Sequence, residues 1–239
     1  MKKIGCLGLA FIVCISLVGC SIPTEKKQTE KVIEKKKETK QKEEIVKSKP
    51  LDFDYATKYA DVNNVTYPHF YFMYNEDFSV TNHDCDMDEE QIVFSNDRGT
   101  TITYTNYSLP ESFVPTGSQA SMSKIEVTKV DDANFVPGYV QATSYADLGS
   151  FVVAKCQEIG TMNMQTDSDF TDIENGHVFY ALLPQSALGI HETNYTGDME
   201  FSFFYGGFVS VLAQSKDNTY TKQEEQDIID ILKAICVEQ

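Results

Sequence analysis

The sequence predicts an α+β domain, an antiparallel β-sheet flanked by helices with an amphipathic helix at its C-terminus. Three observations carry that reading. The stretch MEFSFFYGGFVSVLA sets two aromatic and β-branched runs on either side of Gly206-Gly207, a residue type that accepts the positive φ of a tight hairpin turn. A second hairpin joins Gln91–Phe94 to Thr101–Tyr104 through SNDRG, where Asn96, Asp97 and Gly99 suit the turn. Finally, Thr221-Lys-Gln-Glu224 forms a capping box ahead of Ile228, Ile231, Leu232 and Ile235, which share one helical face. Hairpins imply antiparallel pairing, and helices then cover the sheet.

At the N-terminus, Lys2 and Lys3 precede Ile4–Gly19, 16 residues without a charge. A spanning helix needs roughly 20, so positive start, short apolar middle and small final residue read as a secretory signal peptide over 1–19. The residues Leu17-Val18-Gly19-Cys20 resemble the lipobox of bacterial lipoproteins. That resemblance implies cleavage between Gly19 and Cys20, a diacylglyceryl group on the Cys20 thiol, and a protein anchored by membrane lipid on the outer face of the bacterial cell membrane. Two or three acyl chains, at about 0.8 kcal/mol per buried methylene, hold a protein that one chain holds only marginally. Cys6 and Cys14 fall in the discarded leader.

Residues 20–50 form the lipidated cysteine and a Lys/Glu-rich tether. From Ser21 to Pro50 there are ten Lys, six Glu and no aromatic residue, a composition that stays solvated. As a coil its 30 residues span about 30 Å. The tether carries a net +4, whereas residues 51–239 hold eight Lys plus Arg against 30 Asp plus Glu, a net −22. An acidic domain beside anionic lipid is held off by its own field, and nucleic acid is excluded as a partner on the same grounds. With 189 residues and no second linker, 51–239 reads as a single domain.

Within it, Phe53, Ala56, Tyr59 and Ala60 fall at helical spacing and predict a short helix over 53–60. His69–Tyr74 (HFYFMY) and Ile125–Val130 are strands. Asp147 is expected to cap a helix reaching Ile159, with Leu148, Val152, Cys156 and Ile159 on one face. His177–Leu183 reads as a strand stopped by Pro184. The aromatic strand, the VFSNDRGTTITY hairpin, the mid-chain helix, the FFYGGFVSVL hairpin and the closing amphipathic helix together resemble the PsbP-like fold. The resemblance implies a curved antiparallel sheet flanked by helices. It brings no catalytic or binding motif with it, so no residue takes a role from it.

The sharpest polar cluster is HDCDMDEE. Asp84, Asp86 and Asp88 alternate like the opening ligands of a calcium loop, but Glu89 stands where glycine should turn it and Ser95 where a bidentate Glu should close it. The expectation is a solvated acidic loop; a calcium-dependent adhesin is the sharper alternative. His83 and Cys85 lack a second pair at zinc spacing, and His69, His177 and His191 are scattered. Cys156 and Cys236 are expected as buried thiols on helix faces, and Cys85 in a polar loop beside His83, the only arrangement suggestive of a catalytic cysteine. The pairing of these three is not legible. No cofactor motif occurs: there is no GxSxG, GxxxxGK or GxGxxG. Tyr67, Phe70, Tyr71, Phe72, Tyr74 and Phe78 crowd twelve residues; Phe70, Phe72 and Tyr74 are expected on one side of a strand as core, with His69 and Tyr71 on the other, under a helix rather than as an exposed platform.

These readings point to a non-enzymatic lipoprotein that binds or supports an envelope component or protein partner. The alternative is a cell-wall or glycan hydrolase using two carboxylates, which calls for a cleft holding two carboxyl groups, one of them with a raised pKa.

Overall fold

Alternating and continuous apolar runs settle into two antiparallel sheets. The structure, a computed structural model, describes residues 46–107, 121–141, 143–193 and 201–238; the leader, Cys20 and the tether up to residue 45 lie outside them. Residues 43–239 make one compact unit. The elements are β1 (Phe53–Ala56), α1 (Tyr59–Asn63), β2 (Phe70–Tyr74), β3 (Phe78–Cys85), β4 (Glu89–Asn96), β5 (Thr101–Tyr107), β6 (Ser121–Asp132), β7 (Phe151–Asn163), β8 (Thr171–Asp172), β9 (Val178–Pro184), β10 (Gly189–Thr193), β11 (Ser202–Phe204), β12 (Phe208–Gln214), α2 (Lys222–Ala234) and β13 (Cys236–Val237). The larger sheet runs β10-β6-β7-β9-β12-β5-β4-β3, with β11 added to β12 and β8 to β7; the smaller is β1-β2-β13.

The main core lies between one face of the large sheet and a layer made of the small sheet and α2. Phe70 and Phe72 of β2 and Ile228, Ile231 and Leu232 of α2 meet Ile92, Phe94, Tyr104 and Val211 there, all fully buried. A second apolar cluster on the opposite face holds Val152, Ala154, Cys156, Phe179 and Leu183. Strands β7 and β9 are thus buried on both faces, which is why they read as near-continuous apolar runs. The capping box closes as expected: Glu224 N donates to Thr221 Oγ1 at 3.1 Å, and Thr221 N to Glu224 Oε2 at 2.9 Å.

Two expected helices are strands. Residues 53–56 form β1, paired to β2 with Tyr55 opposite Phe72, and only Tyr59–Asn63 is helical. The 147–159 segment makes a single 3₁₀ turn at Tyr145–Leu148 and then, past Gly149 at φ 69°, becomes β7. Val152 and Cys156 fit a helical face, but with Ala154 they also fit one side of a strand whose other side carries Phe151 and Val153. Phe-Val-Val favours the extended form, and two apolar faces need two packing partners, which a sheet interior supplies.

The FFYGGF turn also differs in detail. Phe204 pairs with Phe208, so the loop has three residues and only Gly206 takes positive φ, at 74°. Gly207 is required for another reason, since a Cβ there would strike Asn106 Oδ1 and the carbonyl of Tyr107.

Candidate functional site

HDCDMDEE is a hairpin tip rather than a loop. Cys85 pairs with Glu90, and Asp86 Oδ1 closes the turn by accepting from the backbone of Asp88 at 2.8 Å and of Glu89 at 2.9 Å, a side-chain turn typical of aspartate. Those bonds hold the Asp86 carboxyl below the ordinary aspartate range. Asp84 accepts from Asn82 at 2.7 Å. Among the described residues no three His, Cys, Asp or Glu side chains gather into a metal-binding group.

The hairpin brings His83 to Glu90, which the sequence reading missed. His83 Nε2 lies 2.8 Å from Glu90 Oε1, and His83 Nδ1 lies 2.8 Å from the Tyr55 hydroxyl. With Nε2–H donated to the carboxylate, Nδ1 is left to accept from Tyr55. Glu90 is wholly buried and also accepts the backbone N–H of Lys58 at 2.5 Å and of Tyr59 at 3.1 Å. The relay therefore ties β1 of the small sheet and the start of α1 to β3 and β4 of the large sheet. Both ring nitrogens of His83 are committed, so it does not serve Cys85. Burial, reinforced by Glu90 and Asp86, pushes the Cys85 thiol up to about 11, the reverse of what a nucleophile or zinc ligand needs.

The remaining cysteines are unpaired. Cys156 is buried as expected, though on a strand, and burial raises its thiol to about 12. Cys236 was expected to be buried on a helix; it lies in β13 and is exposed, because α2 ends at Ala234 and the strand turns Val237 inward instead.

Two of the solvent-open clefts among the described residues gather polar side chains. One, of about 470 Å³, is lined by Tyr55, Thr57, Lys58, Asp61, His69 and Tyr71. Phe70 and Phe72 are core as expected, while Tyr74 is half-buried; His69 and Tyr71 face this cleft and not a covering helix. The short α1 leaves β1 and β2 uncovered here. His69 is itself tied back, with Nδ1 2.8 Å from the Thr57 carbonyl.

The other cleft, about 370 Å³, lies where the β2–β3 turn, the β4–β5 turn and the start of α2 meet; Asp77, Asn96, Arg98, Gln223, Glu224 and Asp227 line it. Burial alone would raise the Glu224 carboxyl, but bonds from Thr221, Asn96 and Thr100 outweigh it and leave it below the usual range. Arg98 Nε sits 3.0 Å from it. Asp227 behaves oppositely: burial, with Asp77 beside it, raises its carboxyl despite a bond from Gln223 and the charge of Lys49. Lys49 bridges to Asp77, and Gln223 holds the backbone of Lys47 on both sides. The chain therefore meets the domain at Lys47, four residues before the Leu51 boundary that composition suggests, at the rim of this acidic cleft. The chain matches no family model, no curated protein and no solved structure.

Proposed function

We propose that this is a lipid-anchored lipoprotein on the outer face of the cell membrane, held through Cys20, whose acidic domain binds an envelope component without catalysis. The observation that carries it is the leader, a short apolar run ending in Leu17-Val18-Gly19-Cys20 and followed by a charged tether. The site geometry supports binding over catalysis. Glu90, His83 and Glu224 are spent on bonds that hold the fold together, and Cys85 is a poor nucleophile. We take the sheet to be of the curved, helix-flanked PsbP-like kind on the order of its elements, although the mid-chain helix that contributed to that likeness is β7. The test is fractionation of cells fed labelled palmitate. Wild-type protein takes up label and sediments with membranes, and Cys20→Ser loses the label and is released. An unlabelled, freely soluble wild type overturns the reading.

Asp227 favours a second reading, hydrolysis by carboxylates, because its raised carboxyl adjoins Asp77 in a cleft. Asp77 is near enough to push the Asp227 carboxyl up directly, whereas glycosidase carboxyl groups stand about 5–10 Å apart with the sugar between them. Release of reducing sugar from purified wall by the wild type, lost in Asp227→Asn, establishes this reading, and no release retires it.

A further inference from the structure

The exposed apolar residues are not spread evenly, and the register shows where they collect. Ser95 pairs with Thr101, and Phe78 with Asn96; these pairs, with Lys49–Asp77, mark the pole where the tether arrives. At the other pole Cys85 pairs with Glu90, Glu89 with Tyr107 and Tyr107 with Phe208. The eight residues of β4 separate the poles by about 26 Å at roughly 3.3 Å per residue.

Contacts draw three more segments to this distal pole. Tyr59 and Asn63 of α1 bond the carbonyls of Met87 and Asp86 at 3.3 and 2.9 Å. Tyr67 donates to the Tyr205 carbonyl, and Gly138 N donates to the Tyr205 hydroxyl at 2.8 Å. The segments so assembled carry Val62 (54% exposed), Val65 (48%), Met87 (78%), Val136 (60%), Tyr139 (73%) and Phe204 (42%). Among the described residues, six of the ten exposed large apolar side chains thus belong to one end of the domain. Isolated exposed apolar residues need no explanation, but a gathering of them does. Met and Tyr are residues that interface cores favour.

We propose that this pole docks a protein whose contact surface is apolar at its centre and ringed by lysine or arginine. Charge selects the occupant. Exposed Asp61, Asp84, Asp86 and Asp88 lie around the patch, with Lys58 on the same side, and the domain as a whole carries −22. Anionic lipid is repelled by that field, and so is a second copy of the chain; a cationic protein is steered in. The tether agrees, since it joins the opposite pole and leaves this one free to reach away from the membrane. The inference deepens the binding reading above and rests on it.

The test places a photo-reactive benzoyl-phenylalanine at Met87, Tyr139 or, as proximal controls, Ser79 and Lys222, in full-length protein within the cells that make it. The expected result is one protein adduct from positions 87 and 139, absent from the controls. Its yield should fall at least tenfold in Asp61→Lys/Asp84→Lys and in high salt, and the captured protein should be basic at its mapped contact. A lipid adduct, an adduct with the chain itself, equal yield at both poles or indifference to charge reversal overturns the proposal, as does the absence of any adduct. Membrane sedimentation is read on the same cells. Sedimentation without the adduct sinks only the docking pole, whereas a soluble protein sinks the anchored reading beneath it.

Discussion

Replacing Glu90 with alanine strips the buried corner between the sheets of a carboxylate and leaves three donors facing nothing: His83 Nε2 and the N–H groups of Lys58 and Tyr59. A buried donor left without a partner costs about 1–3 kcal/mol. Lys58 is exposed and Tyr59 half-exposed, so water relieves part of the backbone loss, and the three donors together put the cost at about 2–5 kcal/mol. Against a total stability of roughly 5–15 kcal/mol, that is a large share. His83→Ala should cost less, since Glu90 keeps two backbone donors. Because the two side chains act through one bond, the double variant should fall short of the summed single losses by about 1–3 kcal/mol. Urea unfolding followed by circular dichroism and tyrosine fluorescence measures all four corners, the chain having no tryptophan. A Glu90→Ala loss under about 1 kcal/mol, or strict additivity, refutes the claim that this relay fastens the sheets.

Asp227→Asn should raise the unfolding midpoint at pH 7. The Asp227 carboxyl is raised in the fold, so its ionised form is disfavoured there and stability is lost as pH climbs through the folded value; the gap to Asn should close below pH 4, measured by urea titration across pH. Thr221→Ala removes the side-chain half of the α2 capping box and leaves the bond from the backbone N–H of residue 221 to Glu224, and should cost about 1 kcal/mol in thermal unfolding. Gly207→Ala drives a methyl into Asn106 and the Tyr107 carbonyl and should cost about 1–3 kcal/mol by the same assay, a neutral result contradicting the close approach of β5 and β12.

What the sequence disclosed was whatever a few neighbouring residues decide. Gly99 and Gly206 marked turns, and Thr221 and Glu224 marked a helix start, because turn and cap chemistry is local. The 145–163 stretch misled because Val152 and Cys156 satisfy a helical period and a strand period at once, and the choice is made by packing on both faces of β7. Asp84, Asp86 and Asp88 drew attention as metal ligands when their alternation marked a hairpin tip. Reading Asp86 as a turn-closing residue would have paired His83 across the strands with the Glu90 region. Tyr55 lies 28 residues from His83 and comes to it only through the packing of one sheet on the other, so no local pattern announces the relay. The acidic cleft likewise joins residues far apart in the chain, Asp77 with Asp227, and the distal apolar pole appears only once register fixes which ends of the strands coincide.

The placement of the molecule at the cell boundary is tested most directly by the mass of its N-terminal peptide, taken from protein isolated from membranes. The expected peptide begins at Cys20 and carries the added mass of a thioether-linked diacylglyceryl group. A peptide that begins at Met1, or at an unmodified residue at or beyond Cys20, contradicts the lipid anchor and removes the ground for an envelope-facing binding role.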